Sequence, residues 1–187
     1  MSGDIYKTAL TGKKTNIALI GFMGTGKTSV GEALANRLGI LYVRTDDLIV
    51  EQARKPISEI FRQDGEKRFR ELEAEVVRTV SGRRRSVIDC GGGVVLDHEN
   101  IEQLRQNSAI ILLTSSPEVI LERISRNGDQ RPLFNNVDKR ATIRKLLSTR
   151  EPLYRDAADY VVDTSKLSVK QVVEKILEYL ASNSLAR

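Results

Sequence analysis

The chain has 187 residues, of which 40% are hydrophobic and 29% charged, and it carries a net charge of +5 at neutral pH. That length suits one compact domain with its own core, and no apolar run reaches the roughly 18 residues needed to cross a bilayer. One cysteine, Cys90, excludes an internal disulfide, and one histidine, His98, excludes a His-rich metal site or a Cys–His couple.

The first element read from the sequence is "TNIALIG" (15–21), a short apolar run that ends in glycine and so reads as a buried strand. Lys27–Leu38 follows as a helix, with Val30, Leu34 and Leu38 at helical spacing. "ILYV" (40–43) reads as a second strand. From Ile57 onward, Ile60, Phe61, Phe69, Leu72, Val76 and Val80 mark a helical region interrupted near Gly65. "SVIDC" (86–90) is a third strand, halted by Gly91, Gly92 and Gly93, and "AIILLT" (109–114) is a fourth, after which Ser116-Pro117 opens a helix. "YVVD" (160–163) is a fifth strand. Val169, Val172, Val173, Ile176, Leu177 and Leu180 form one stripe on a final helix.

Strands without strong alternation, separated by helices, predict an α/β fold: a three-layer αβα arrangement whose parallel sheet is covered on both faces. Ligands of such sheets bind beyond the carboxyl ends of the strands, where residues 21–28, 44–47, 89–93 and Thr114 all fall. One domain is expected over 15–182, with residues 1–14 as a loose polar extension. The N-terminal segment lacks a secretory apolar stretch, so a cytoplasmic protein is expected. The basic residues are scattered, "RRR" at 83–85 is the one run, and aromatics are 5%, which favours a small anionic ligand over nucleic acid. Without a long exposed apolar stripe, a monomer is expected.

The sharpest motif is Gly21-Phe22-Met23-Gly24-Thr25-Gly26-Lys27-Thr28, a G-x-x-x-x-G-K-[ST] loop between a strand and a helix. Glycines let the backbone N–H groups turn inward around phosphate oxygens at a helix N-terminus. Gly24, Thr25, Gly26, Lys27, Thr28 and Ser29 are therefore candidate contacts for ATP, with Lys27 on the β- and γ-phosphates and the Thr28 hydroxyl on Mg²⁺.

Beyond this loop, "RTDDLI" (44–49), "GEKRFRELE" (65–73), "DCGGGVV" (89–95), "RPLF" (131–134) and "REPLYRDAADY" (150–160) follow in a fixed order. Over about residues 16–182 this pattern resembles the shikimate kinase family. The resemblance implies a P-loop kinase fold with a five-stranded parallel sheet, a substrate-binding helical region and a lid at about 125–137. It also implies transfer of the ATP γ-phosphoryl group to a hydroxyl of shikimate, giving shikimate 3-phosphate and ADP on the route to chorismate and the aromatic amino acids. On the matching positions, Arg70 and Arg150 would grip the acceptor carboxylate, and Glu73 would orient Arg70. Asp46 would bind the acceptor hydroxyl and take its proton, and Gly91, Gly92 and Gly93 would let backbone approach the substrates. Arg131 of the lid would close over the transferred phosphoryl group, serving both nucleotide binding and catalysis with Lys27. Arg123 and Arg126 either approach the adenine or lie on a helix surface.

One position departs from the family pattern. Members usually read D-T-D after the second strand, where this chain has Arg44-Thr45-Asp46. The first Asp of that motif helps to hold hydrated Mg²⁺, and an arginine repels it. Asp89, where the family often has a small hydroxyl residue, is the candidate second metal residue beside Thr28, and Arg44 is expected to face a phosphate or a carboxylate. Two other readings of the loop are a kinase for another small metabolite, such as gluconate, and a nucleotide-binding regulator without phosphotransfer.

Overall fold

The computed structural model describes residues 14–126 and 138–184. The chain begins with β1 (Asn16–Ile20), α1 (Lys27–Leu38), β2 (Leu41–Arg44), α2 (Thr45–Ala53), α3 (Ile57–Gln63), α4 (Gly65–Ser81) and β3 (Ser86–Asp89). It continues with α5 (His98–Asn107), β4 (Ser108–Thr114), α6 (Pro117–Arg126), α7 (Lys139–Ala157), β5 (Tyr160–Asp163) and α8 (Val169–Ser184). The five strands form one parallel sheet in the order β2-β3-β1-β4-β5.

All five residues of β1 are buried because the sheet is covered on both faces. Ile17 and Leu19 join Val87, Ile111 and Leu113 under α1 and α8, where Val30, Leu34, Val172 and Ile176 close one core. Ala18 and Ile20 face the other way with Ile88 and Leu112, against Leu72, Val76, Leu104 and Ile143 of α4, α5 and α7. Two apolar faces on one strand leave no polar alternation, which is why the strands read as continuous apolar runs. Each fully buried side chain of this kind, Leu34 and Leu104 among them, contributes about 1.5–3 kcal/mol relative to exposure.

Local signals set the helix limits. Helix α1 begins after Gly26, held at φ 94, and stops at Gly39, at φ 63, whose N–H bonds back to Asn36 O. Gly65, at φ 82, produces the expected interruption between α3 and α4. Asp97 caps α5 by accepting from the Glu99 N–H, and Asp138 caps α7 through the N–H groups of Arg140 and Ala141.

Some expectations need correction. Strand β2 lies at 41–44 rather than 40–43, and β3 stops at Asp89, before Cys90. Helix α2 has no signature in the sequence: Leu48, Ile49 and Val50 are consecutive, and of its apolar residues only Ile49 is buried. Helix α7 is strongly charged and contains Pro152, so its spacing is equally mute. Lys14, assigned to the loose extension, pairs with Asp159 at 2.8 Å. Residues 1–13 lie outside the described residues, as does the expected lid from residue 127 to 137, and with it Arg131. No described helix is long and apolar enough to cross a membrane.

In this topology β1 lies between β3 and β4, so the connections leaving β1 and β3 part to opposite sides. The crevice that opens at their carboxyl ends is where such sheets place ligands. The loops after β1, β2 and β3 meet there with Thr164 and Leu167 after β5, whereas Thr114, expected at the same edge, lines a separate pocket.

Candidate active site

A cavity of about 440 Å³ occupies this crevice. One wall is the phosphate loop. Thr25 Oγ1 donates to Phe22 O at 2.8 Å, and Lys27 Nζ donates to Gly21 O at 2.8 Å and Phe22 O at 3.0 Å, so the loop is folded on itself. The left-handed backbone at Gly26 turns the chain straight into α1, whose first N–H groups have no intrahelical acceptor. Gly24, Thr25, Gly26, Lys27, Thr28 and Ser29 all line the cavity. This wall is built for an anion.

The floor carries a carboxylate. Asp89 ends β3, and its Oδ2 accepts hydrogen bonds from Thr28 Oγ1 and from Tyr42 OH, each at 2.9 Å. The strand register pairs Arg44 with Asp89. Arg44 donates to neither end of the phosphate loop; Nη1 meets Asp47 Oδ1 at 3.2 Å and Nε stands 4.0 Å from Asp89 Oδ2. Arg44 thus pairs with carboxylates, one of the two roles expected for it. Burial and the adjacent Asp89 raise the Tyr42 phenol well above its ordinary value, so it stays a donor to Asp89.

Beside the phosphate loop runs the triple glycine, of which Gly91 and Gly92 line the cavity. A Cβ at Gly91 would lie 2.8 Å from Asp46 Oδ1 and 3.1 Å from Glu73 Oε1, so both carboxylates converge on that residue. A Cβ at Gly93 would overlap Arg70 Nη1 and stand 2.7 Å from Arg70 Cζ and Nη2. Only a residue without a side chain lets the guanidinium lie on the backbone there. Gly92 O accepts from Arg150 Nη1 at 3.3 Å and from Tyr154 OH at 2.5 Å, the two donors lying one turn apart on α7. Burial pushes the Tyr154 hydroxyl up to about 12, which keeps it protonated in this role.

Arg70 is held from its own helix. Glu73 Oε2 accepts from Nη1 at 2.6 Å, and Glu66 Oε1 accepts from Nη2 at 3.0 Å, at the i,i+3 and i,i+4 positions. Glu73 is 1% exposed, and its Oε1 has no hydrogen-bond partner among the described residues. Burial raises its carboxyl above the usual range, Arg70 pulls it back and Asp46 raises it further. Asp46 itself is in the first turn of α2 but does not cap it.

At the remaining end, Arg123 Nη1 donates to Gly24 O at 3.2 Å and to Thr164 Oγ1 at 3.0 Å, while Thr164 Oγ1 donates to Thr25 O at 2.9 Å. Arg123, Arg126, Leu167 and Val169 line the cavity there, a mixture of apolar surface and guanidinium suited to a flat heterocycle. Cys90 is 1% exposed, with its thiol raised by burial, and His98 is exposed on α5. Of the residues expected at the site, Lys27, Asp46, Asp89, Gly91 and Gly92 line the cavity, and Arg70, Arg150 and Gly93 adjoin it through the triple glycine. The sequence reading missed Tyr42, Tyr154, Thr45 and Thr164. Tyr154 sits inside the "REPLY" motif and could have been found by its spacing from Arg150; Tyr42 reads as an ordinary strand residue. Thr45 Oγ1 bridges Asp89 O (3.3 Å) and the Gly91 N–H (3.0 Å), a link between two loops that no local pattern announces.

Known proteins match this chain over most of its length. A shikimate kinase family model matches residues 23–181. A shikimate kinase from Pelotomaculum thermopropionicum is 45% identical over 169 residues, covering 90% of this chain and 97% of its own. One from Caldanaerobacter subterraneus subsp. tengcongensis is 47% identical over 162 residues, covering 87% and 94%. Among solved structures, shikimate kinase from Acinetobacter baumannii in complex with shikimate superimposes with a TM-score of 0.87 at 34% identity, covering 95% of this chain and 98% of that one. With the phosphate loop, the triple glycine and the two arginines in place, and with relatives matching over nearly its whole length, the chain belongs to the shikimate kinase family.

Proposed function

We propose that this protein transfers the γ-phosphoryl group of ATP to a hydroxyl of shikimate, yielding shikimate 3-phosphate and ADP. The observation that supports the reading most directly is a pair of anion-binding features linked by the triple glycine, with Asp46 Oδ1 against Gly91. The phosphate loop is one, and the pair Arg70 and Arg150 on the triple glycine is the other. A substrate with one carboxylate and several hydroxyls fits between them, its carboxylate on the two guanidinium groups. One hydroxyl then lies against Asp46.

In this mechanism Lys27 leaves its carbonyl partners for the β- and γ-phosphate oxygens, and the N–H groups opening α1 hold the same phosphates. Arg123, Arg126 and Leu167 take the adenine end. Asp46 accepts the proton of the acceptor hydroxyl as its oxygen bonds to the γ-phosphorus, and the bond from that phosphorus to the β,γ-bridging oxygen breaks. Arg131, assigned from the sequence alone, stabilises the charge on the phosphoryl group in transit. Thr28 and Asp89, a hydroxyl and a carboxylate hydrogen-bonded to each other below the loop, have the hard oxygen donors that suit Mg²⁺. Bound there, the ion supplies charge neutralisation to the β- and γ-phosphates. The protein works in the cytoplasm as a monomer; its exposed large apolar residues, such as Leu41, Leu96 and Leu153, lie on different elements.

The test is ADP release followed by a coupled assay, with ATP alone and with shikimate or gluconate added. The expected result is turnover that depends on shikimate. Equal stimulation by gluconate would favour a broader metabolite kinase. Tight ADP binding without any acceptor-dependent turnover would leave a nucleotide-binding regulator.

A further inference from the structure

We infer that Arg44 competes with Mg²⁺ for Asp89 and thereby sets the metal affinity of the nucleotide site. The inference rests on the assignment of Thr28 and Asp89 to the metal given above. Arg44 lies at the end of β2, in register with Asp89 on β3, and its guanidinium stands between two carboxylates. One is Asp47 in the first turn of α2, whose side chain is 63% exposed; the other is Asp89, whose side chain is 7% exposed. The groups facing Asp89 are the hydroxyls of Thr28 and Tyr42 and the Arg44 guanidinium.

The two carboxylates hold Arg44 differently. The contact with Asp47 is within ion-pair range at 3.2 Å, whereas the 4.0 Å from Nε to Asp89 Oδ2 is too long for a hydrogen bond and acts through charge alone. The hydroxyls of Thr28 and Tyr42 already occupy that oxygen, so Arg44 compensates Asp89 without gripping it. Asp89 is buried, which limits screening on its side of the pair, while Arg44, at 38% exposed, is partly screened. A divalent cation placed on Asp89 meets this guanidinium as a like charge. Arg44 can withdraw onto Asp47, which is exposed and joined to it by one helical turn. The competition is therefore graded. At rest the pocket is charge-compensated and takes up free divalent cations poorly. The metal enters as its complex with the nucleotide, whose phosphates supply the missing negative charge.

The measurement is ADP affinity by calorimetry in excess Mg²⁺ and in EDTA, with the ratio of the two dissociation constants taken as the metal coupling. Removing the competitor in Arg44→Ala is expected to raise that coupling at least about threefold. Asp47→Asn removes the alternative seat and is expected to lower it. In an Asp89→Asn background, Arg44→Ala is expected to change nothing, because the competition acts through Asp89. The inference is overturned if Arg44→Ala leaves the coupling unchanged or lowers it, including the case in which ADP weakens equally with and without Mg²⁺, as direct contact with phosphate requires. If Asp89→Asn by itself leaves the coupling intact, the metal assignment fails, and the inference falls with it. Shikimate-dependent turnover, measured separately, tests the kinase reading on its own.

Discussion

Gly93→Ala isolates the acceptor half of the site from everything else. Gly93 has φ −103 and ψ −2, a conformation open to alanine, so the substitution strains no backbone. The new methyl group would overlap Arg70 Nη1 and press on Cζ and Nη2 at 2.7 Å. Those atoms are the far end of a flexible side chain that is 24% exposed, so Arg70 can swing away, and part of the cost falls on the fold because the buried Glu73 carboxylate loses its partner at 2.6 Å. The rest falls on binding. A hydrogen bond to a charged partner is worth about 1.5–3 kcal/mol, and a guanidinium offers a carboxylate two. With Arg150 still in place and solvent screening the displaced group, about half of that total, 1.5–3 kcal/mol, is the expected loss. This corresponds to about a 10- to 150-fold fall in kcat/KM for shikimate. Gly91 and Gly92 line the nucleotide cavity, whereas Gly93 does not, so the KM for ATP should stay within about twofold. Steady-state kinetics in both substrates and a urea melt read these quantities together. An unchanged shikimate KM in Gly93→Ala, alongside a raised one in Arg70→Ala, would refute the idea that the glycine exists to seat the guanidinium.

Three further substitutions probe other parts of the site. Asp46→Asn should lower kcat by about 10²–10⁴-fold while leaving ADP affinity unchanged, since only proton removal is lost; normal turnover would remove Asp46 from the mechanism. Glu73→Gln should weaken shikimate binding about tenfold by loosening Arg70. It should also change the pH dependence of folding. The native carboxyl of Glu73 titrates above its unfolded value, so the wild type binds more protons when folded and loses stability relative to Gln as pH rises through that interval. Urea melts between pH 4 and pH 8 decide this, and a relative gain for the wild type would mean that Arg70 outweighs burial. Gly31→Ala would place a methyl group 2.6 Å from Tyr42 Cε2 and 3.2 Å from Leu19 Cδ1. Overpacking of about 1–3 kcal/mol, offset by up to about 1 kcal/mol of helix propensity, should lower the denaturation midpoint. An unchanged midpoint would show that the Tyr42 ring is free to move.

The features legible in the sequence were those written in contiguous residues. Gly21–Thr28 contains its own turn, its own cation and its own hydroxyl, and the strand before it and helix after it follow from short-range periodicity. The same holds for the strands, whose apolar runs report burial on two faces. Helix α2 was not legible because its burial depends on one residue, Ile49, and α7 because its sequence is mostly charged. What only the tertiary structure decided is which distant side chains share one carboxylate or one glycine. Parallel register sets Arg44 beside Asp89, and the crossover through α1 brings Thr28 under the same oxygen. Helix packing lays Arg70 across Gly93 and Arg150 against Gly92. Residue types can announce that a triphosphate and a carboxylate are bound. The charge at Asp89 that a metal will meet depends on distances between residues 28, 42, 44 and 89, and those exist only once the sheet has formed.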